Sequence, residues 1–223
     1  MIKFLRNIRQ RIKRNIFAKN QKRKINQTGS LINAFNDSNT IFVHIPKTAG
    51  TSIIKAIYGD VSKEGHRSIY FYKQVFDKDF KDFFTFTFIR NPFDRLYSSY
   101  KFLQNGGMNE HDKNAFHKYL SHYTDFEDFV LNGLNSEIIY EIIHFIPQSE
   151  FICNNDGKIM VDFIGRFENL YEDLNDLSEK INKEIVLEHH NKNNKLDFSK
   201  IYTEDMKLKV YNIYKKDVEI FSY

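Results

Sequence analysis

The sequence predicts an α/β protein with a central parallel sheet covered by helices on both faces. Two observations carry this expectation. Twice, a short apolar run rich in β-branched or aromatic residues is broken by a polar loop and followed by residues at helical spacing. A third such run precedes an amphipathic helix. Strands that alternate with helices imply parallel pairing, and ligands then bind outside the carboxyl ends of the strands.

In the first unit, Ile41 to Ile45 reads as a strand ended by Pro46. Thr51 to Tyr58 follows with Ile53, Ile54 and Ile57 on one helical side, and Gly59 marks the C-terminal end. In the second, Phe83 to Ile89 is too uniformly apolar for a half-exposed strand and is expected at the centre of the sheet. Asn91 is a good N-cap and Pro92 suits the first helical position, so a helix runs on through Leu96 and Tyr100 until Gly106-Gly107 breaks it. Residues 108 to 150 read as helical, with Phe126, Phe129 and Val130 as core candidates. Ile159 to Ile164 is the expected third strand. Leu170, Leu174, Leu177 and Ile181 then form one face of a helix, and a last helix starts near Glu204 with Met206, Val210, Ile213 and Phe221 on one side.

Size and charge narrow the function. Of 33 Lys and Arg residues, ten precede the first acidic residue, Asp37, which leaves 23 against 29 acidic residues beyond it. The formal charge of +4 therefore joins a basic arm to a mildly acidic body, which removes most support for nucleic acid as a partner. Residues 1–27 are expected to form the arm, 28–40, rich in Asn, Ser, Thr and Gly, a linker, and 41–223 one domain. Within the arm, Leu5, Ile8, Ile12 and Ile16 make a narrow apolar stripe flanked by positive charge. Such a segment either lies on an anionic membrane surface or is a solvated tail. No apolar run has the length of a membrane span, and the start lacks the apolar stretch of a signal peptide, so the expected location is cytoplasmic, or peripheral on the inner membrane face. Cys153, the only cysteine, excludes an internal disulfide and reads as a small buried residue rather than a nucleophile.

The loop of the first unit has the composition of an anion cradle. Lys47, Thr48, Ala49, Gly50, Thr51 and Ser52 stand between a buried strand and a helix start. Small residues let backbone N–H groups approach an oxyanion, the helix dipole favours negative charge, and the hydroxyls and lysine add donors. The pattern differs from a Walker A loop, because Lys47 precedes the only glycine of the loop. The second strand ends in Arg90 rather than a carboxylate suited to Mg²⁺, so cations and no metal are expected to furnish the phosphate site. In the second loop, Arg90 leaves the strand end, while Arg95, Ser98 and Ser99 share a face of the following helix, so that Ser98 can join Arg90 around a second anion. Two anion sites at neighbouring strand ends suit a ligand with phosphates at both ends.

At these residues the chain resembles the carbohydrate sulfotransferase superfamily, in the branch that includes heparan sulfate 2-O-sulfotransferases and bacterial relatives. PKTAGTS is similar to that family's 5′-phosphosulfate loop, and RNPFDRLYSSY to its 3′-phosphate motif, with Arg90 and Ser98 eight residues apart. HFIPQSEFI, VDFIGRFENLYEDL and the closing IYTEDMKLKVYNIYKKDVEIFSY resemble further segments, so the likeness covers about residues 40 to 223.

The resemblance implies a P-loop-kinase-like sulfotransferase fold, 3′-phosphoadenosine 5′-phosphosulfate as donor, a saccharide or glycan hydroxyl as acceptor, a place in polysaccharide biosynthesis, and no metal. It implies Lys47 and the backbone of residues 48 to 52 on the leaving phosphate, and Arg90 and Ser98 on the 3′-phosphate. His66, in GHRSIYFY, resembles the segment that carries the family's catalytic histidine and is the expected base. His44 is expected as a hydrogen-bonded residue within the first strand, and His144, ahead of Pro147, as a candidate for the acceptor cleft. His111, His117 and His122 are expected at the surface. The segment around His189-His190 resembles a family loop that retains His189 and Asn191, with Glu188 and Asn193 replacing a proline and a serine. Arg166 and Lys192 remain candidate donor contacts. Two other readings stay open: a P-loop-like nucleotide kinase, and a non-catalytic nucleotide-binding module at the membrane.

Overall fold

The computed structural model describes residues 16–62, 65–187 and 200–223. Its centre is a three-stranded parallel sheet in the order β1-β2-β3, with β1 at Thr40–Phe42, β2 at Phe84–Ile89 and β3 at Phe163–Arg166. β2 is the middle strand, as its uniform apolarity predicts. Thr40 to Phe42 face Phe84 to Phe86, and Phe86 to Ile89 face Phe163 to Arg166. The Phe42 and Phe86 rings stack at 5.2 Å across the first pair. The two threonines of FTFTFI can be buried because their hydroxyls are occupied: Thr87 donates to the Val43 carbonyl at 2.7 Å, and Thr85 to Asp162 at 2.7 Å. Gly165 lies so close to Phe88 that a Cβ would stand 2.3 Å from the ring.

The helices in chain order are α1 (Leu31–Ser38), α2 (Gly50–Tyr58), α3 (Ile69–Phe76), α4 (Pro92–Gln104), α5 (Glu110–Tyr119), α6 (Leu170–Ile181), α7 (Glu204–Ile213) and α8 (Lys215–Phe221). Asn91 caps α4 as expected, its side chain accepting the Phe93 N–H at 3.0 Å ahead of Pro92 in the first turn. Between α5 and β3 run a wide π turn at Phe129–Gly133 and single helical turns such as Ser149–Ile152. Phe126, Phe129 and Val130 are buried there as expected.

Apolar side chains gather in two clusters. One surrounds the sheet and takes Phe35 from α1, Ile53 and Ile57 from α2, Tyr72 from α3 and Leu174 and Leu177 from α6. The other contains no strand residue and joins Leu96 and Tyr100 of α4 to Phe129, Phe145, Met206 and Val210.

Several expectations need correction. Residues 28–40 are no linker: Ser30 caps α1 by accepting the Asn33 N–H at 3.0 Å, and Leu31, Ile32 and Phe35 enter the core. The polar residues there mark helix ends, since Asn39 takes the left-handed conformation after the last turn. The third strand starts later than Ile159, which makes only an isolated bridge to Cys153. Asp162 breaks the run by turning its carboxylate to the Thr85 N–H and hydroxyl. The last helix is divided at Tyr214, whose hydroxyl donates to the Phe145 carbonyl at 2.7 Å.

Most of the arm's apolar stripe, Leu5, Ile8 and Ile12, lies outside the described residues. Residues 16–21 are helical and pack on the body: Ala18 is buried, and Phe17 meets Phe71 of α3 at 5.9 Å with Arg67 over its ring. Among the described residues, no helix is long and apolar enough to cross a membrane.

Candidate active site

The loop after β1 is wound tightly. Lys47 and Ala49 both adopt left-handed backbone angles, φ 70° and 64°, which cost energy for residues that carry a Cβ. Thr48 is fully buried and its hydroxyl donates to the Ile45 carbonyl at 2.9 Å, so this side chain braces the loop. The winding delivers Gly50 and Thr51 to the first turn of α2, ahead of the helix's own hydrogen bonds, where N–H groups and the helix dipole favour an anion. Ser52 is different, since its N–H already donates to the Ala49 carbonyl. Gly50 is required by close approach: a Cβ there would lie 1.9 Å from Cδ2 of His44.

Arg90, at the end of the neighbouring strand, is fixed from every side. Its Nε and Nη2 donate to the two oxygens of Asp94 at 2.7 and 2.9 Å, and Nη1 donates to the Lys47 carbonyl at 3.0 Å and to Ser98 Oγ at 3.2 Å. The Phe167 ring covers the guanidinium at 3.9 Å. Gln148 grips the backbone of Arg90 with both ends of its amide, and Asp217 holds the Gln148 and Ser149 N–H groups. Four of the five guanidinium donors are thus engaged. What remains for an anion is one Nη2–H and the Ser98 hydroxyl proton, which accepting from Arg90 leaves available.

The Lys47 ammonium sits 4.0 Å above the Phe102 ring of α4. Burial lowers its pKa to about 8, the Arg90 charge pushes the same way, and Asp112 opposes both. Behind Phe102, at 4.9 Å, stands the His144 ring.

Three imidazoles meet beside this lysine. The rings of His44 and His66 lie edge to face at 4.3 Å, and those of His66 and His144 at 5.9 Å. His66 Nδ1 is 3.0 Å from the His44 carbonyl, which places its proton on Nδ1 and leaves Nε2 as a lone pair. Burial outweighs the hydrogen bond to the His44 carbonyl, which favours the charged ring, and holds the pKa down at about 4, so the ring is neutral at pH 7. His144 Nε2 lies 3.0 Å from Oδ1 of Asp112. His44 is not within β1 as expected; the strand ends at Phe42, and His44 belongs to the loop with its ring stacked on Phe42.

The remaining candidates divide. Arg95 and Ser99 do share a helical face, but they turn from Arg90: Arg95 is buried and donates to the carbonyls of His144 and Ile146, and Ser99 also donates to His144. They anchor the His144 segment, and only Ser98, one position away, reaches Arg90. Arg166 donates to the Phe221 carbonyl at 2.6 Å and lies over Tyr223, with no described contact to Lys47 or Arg90. Glu188, His189, His190, Asn191, Lys192 and Asn193 fall outside the described residues. His111, His117 and His122 are exposed, and Cys153 is buried with its thiol pKa raised by burial. The sequence reading missed Asp94, Phe102, Asp112, Gln148 and Asp217. Asp94 was legible as the partner four residues after Arg90 on a helix; the others act across 32 or more residues or through a ring face, where spacing gives no signal.

Arg90 thus ties the loops after β1 and β2 together, with a neutral histidine in the same site. A model of the sulfotransferase family matches residues 31–223, a span that holds the whole sheet and every residue of this site. No curated protein and no solved structure matches the chain. With the family match covering most of its length, the chain belongs to the sulfotransferase family.

Proposed function

We propose that the chain moves a sulfuryl group from 3′-phosphoadenosine 5′-phosphosulfate to a hydroxyl of a saccharide, in the manner of the heparan sulfate 2-O-like bacterial branch it resembles. The observation that carries this reading is the hydrogen bond from Arg90 Nη1 to the Lys47 carbonyl, which locks the two anion loops at one distance. A donor with phosphate groups at both ends of one nucleoside fits that spacing of functions. Arg90 and Ser98 hold the 3′-phosphate. The Gly50 and Thr51 N–H groups and Lys47 receive the 5′-phosphosulfate.

Sulfuryl transfer depends on positioning and charge stabilisation. The acceptor hydroxyl loses its proton to His66 Nε2 as its oxygen bonds to sulfur in line with the departing phosphate oxygen. The bond from sulfur to that oxygen breaks, and Lys47 meets the charge left on the phosphate. The acidic body supports a neutral or sparsely charged glycan rather than a highly sulfated one, and a basic N-terminal arm supports work beside an anionic membrane face, where cell-surface polysaccharide is made.

The test is transfer of labelled sulfate from the donor to a panel of unsulfated glycans in EDTA. Sulfated product is the expected result. Phosphoryl transfer that requires Mg²⁺ supports the nucleotide kinase instead. Tight binding of 3′-phosphoadenosine 5′-phosphate without transfer to any glycan supports the non-catalytic module.

A further inference from the structure

The turn from β2 into α4 would ordinarily offer backbone donors to an anion, because the first N–H groups of a helix lack partners inside it. Here those donors are spent. The Arg90 N–H donates to Gln148 Oε1 at 2.9 Å, and the Asn91 N–H to Glu168 Oε1 at 2.6 Å. Pro92 has no N–H, Phe93 and Asp94 donate to Asn91 Oδ1, and Arg95 donates to the Asn91 carbonyl. An anion at this strand end is therefore received by side chains alone, through the remaining Nη2–H of Arg90 and the hydroxyl of Ser98. The loop after β1 differs, since it presents the N–H groups of Gly50 and Thr51.

Two donors read an anion well only if they are themselves held to within about 0.5 Å. What holds them comes from far along the chain. The Gln148 amide also donates from Nε2 to the Arg90 carbonyl at 2.8 Å, so it brackets the backbone of that residue, and the donor and acceptor it faces fix which end is which. Gln148 is buried in turn. Its N–H and that of Ser149, at the start of the Ser149–Ile152 turn, donate to Asp217 Oδ2 and Oδ1 at 2.6 and 2.9 Å, and Asp217 is buried on α8. For Asn91 the support is similar: Glu168 Oε2 accepts from the Tyr223 hydroxyl at 3.0 Å. Burial and then the Glu168 charge raise the Tyr223 pKa, so this hydroxyl stays a donor. Phe167, beside Glu168, supplies the ring that covers the Arg90 guanidinium at 3.9 Å. Residues 217 to 223 thus hold both partners of the Arg90-Asn91 backbone.

We propose that Gln148 and Glu168, backed by Asp217 and Tyr223, are positioning residues that give the site its selectivity for a 3′-phosphate. They act through the backbone, clasping Arg90 and Asn91 from two separate segments and so setting where the guanidinium stands against Ser98. This rests on the assignment of Arg90 and Ser98 to the 3′-phosphate in the proposed sulfotransfer. A nucleotide without that phosphate makes little use of the clasp. Damage to it therefore appears as lost preference between nucleotides rather than as a general loss of affinity.

Calorimetry on the full chain with 3′-phosphoadenosine 5′-phosphate and 5′-AMP tests this. Glu168→Ala and Gln148→Met are each expected to lower the preference for the 3′-phosphorylated nucleotide about tenfold, with a smaller change for 5′-AMP. Glu168→Gln keeps an acceptor for the Asn91 N–H and is expected to retain most of the preference. Tyr223→Phe removes one hydroxyl and is expected to lose about two- to three-fold. A preference unchanged in both Glu168→Ala and Gln148→Met overturns the proposal, and so does an equal loss for the two nucleotides, which is what a merely structural role gives. Glu168 is half-buried, so Glu168→Ala decides if Gln148→Met does not fold. Amide hydrogen exchange on the chain alone needs no nucleotide: loss of protection is expected at Asn91 in Glu168→Ala and at Arg90 in Gln148→Met, and unchanged protection overturns the clasp. A wild type that does not distinguish the two nucleotides refutes the 3′-phosphate assignment, and the exchange result then judges the clasp alone.

Discussion

The anion side of the site, Lys47 to Ser52 with Arg90 and Ser98, comes from two short stretches that each carry a strand end into a helix. The proton side, His44, His66, Asp112 and His144, is gathered from four segments between positions 44 and 144. On the anion side the side chains that the Arg90 guanidinium hydrogen-bonds lie four and eight residues away on one helix. On the proton side each hydrogen bond spans 22 or 32 residues. Local geometry thus shapes the proposed anion side, while tertiary packing gathers the histidines. The two sides touch at Gly50, which belongs to the first and packs on His44 of the second.

If the division holds, substitutions on one side spare the other. The largest separation is expected for His66→Ala, which should lower turnover by about 10²- to 10⁴-fold while leaving affinity for 3′-phosphoadenosine 5′-phosphate within a few-fold. Unchanged turnover removes His66 as the base. Gly50→Ala is expected to damage both sides at once, because a methyl group there displaces the His44 ring and with it the carbonyl that holds His66. Overpacking of this kind costs about 1–3 kcal/mol, readable as a lower thermal midpoint together with weaker nucleotide binding and slower transfer. A purely local loss, in nucleotide binding alone, breaks the link between the sides.

Lys47→Arg sharpens the comparison through pH. Lysine must be charged to stabilise the leaving phosphate, and burial places its pKa at about 8, so kcat/KM of the wild type is expected to fall as pH rises through that value. Arginine stays protonated, so the basic limb should move to higher pH in the variant; a limb that stays near 8 belongs to another group. Smallest is the arm. Deleting residues 1–15 should release the protein from anionic vesicles with transfer to a soluble glycan within about two-fold. Deleting 1–27 removes buried Ala18 and Phe17 from α3 and should cost stability as well, of order 1 kcal/mol or more.

The same contrast explains what could be read before the structure. The central strand, the Asn91-Pro92 helix start, the lysine loop and the Arg90–Ser98 spacing are local patterns, and each was legible in the residues themselves. The α1 helix was hidden because Ser30 and Asn39, which cap it, share their composition with linkers. Ile69–Phe76 was hidden because its apolar residues run together without a clear helical stripe. Thr48 was read into the cradle from its place in the loop, and its hydroxyl is given to the Ile45 carbonyl; Arg95, read only as sharing a face with Ser98 and Ser99, turns to the carbonyls of His144 and Ile146. Asp112 gave no signal, since nothing near it in the chain shows that Gly107 and Met108 clamp it against a histidine 32 residues away.

The central claim is that Arg90 and Ser98 read a 3′-phosphate while the Lys47 loop reads the 5′ end of the same nucleotide. Calorimetry with 3′-phosphoadenosine 5′-phosphate and with 5′-AMP, on wild type and Arg90→Ala, tests it most directly. Wild type is expected to prefer the 3′-phosphorylated nucleotide by about 1.5–3 kcal/mol, the worth of a charge-assisted contact, and Arg90→Ala to lose that preference, with a smaller loss for 5′-AMP because the bond to the Lys47 carbonyl goes too. Equal affinity of wild type for the two nucleotides, or a preference that survives in Arg90→Ala, would contradict it.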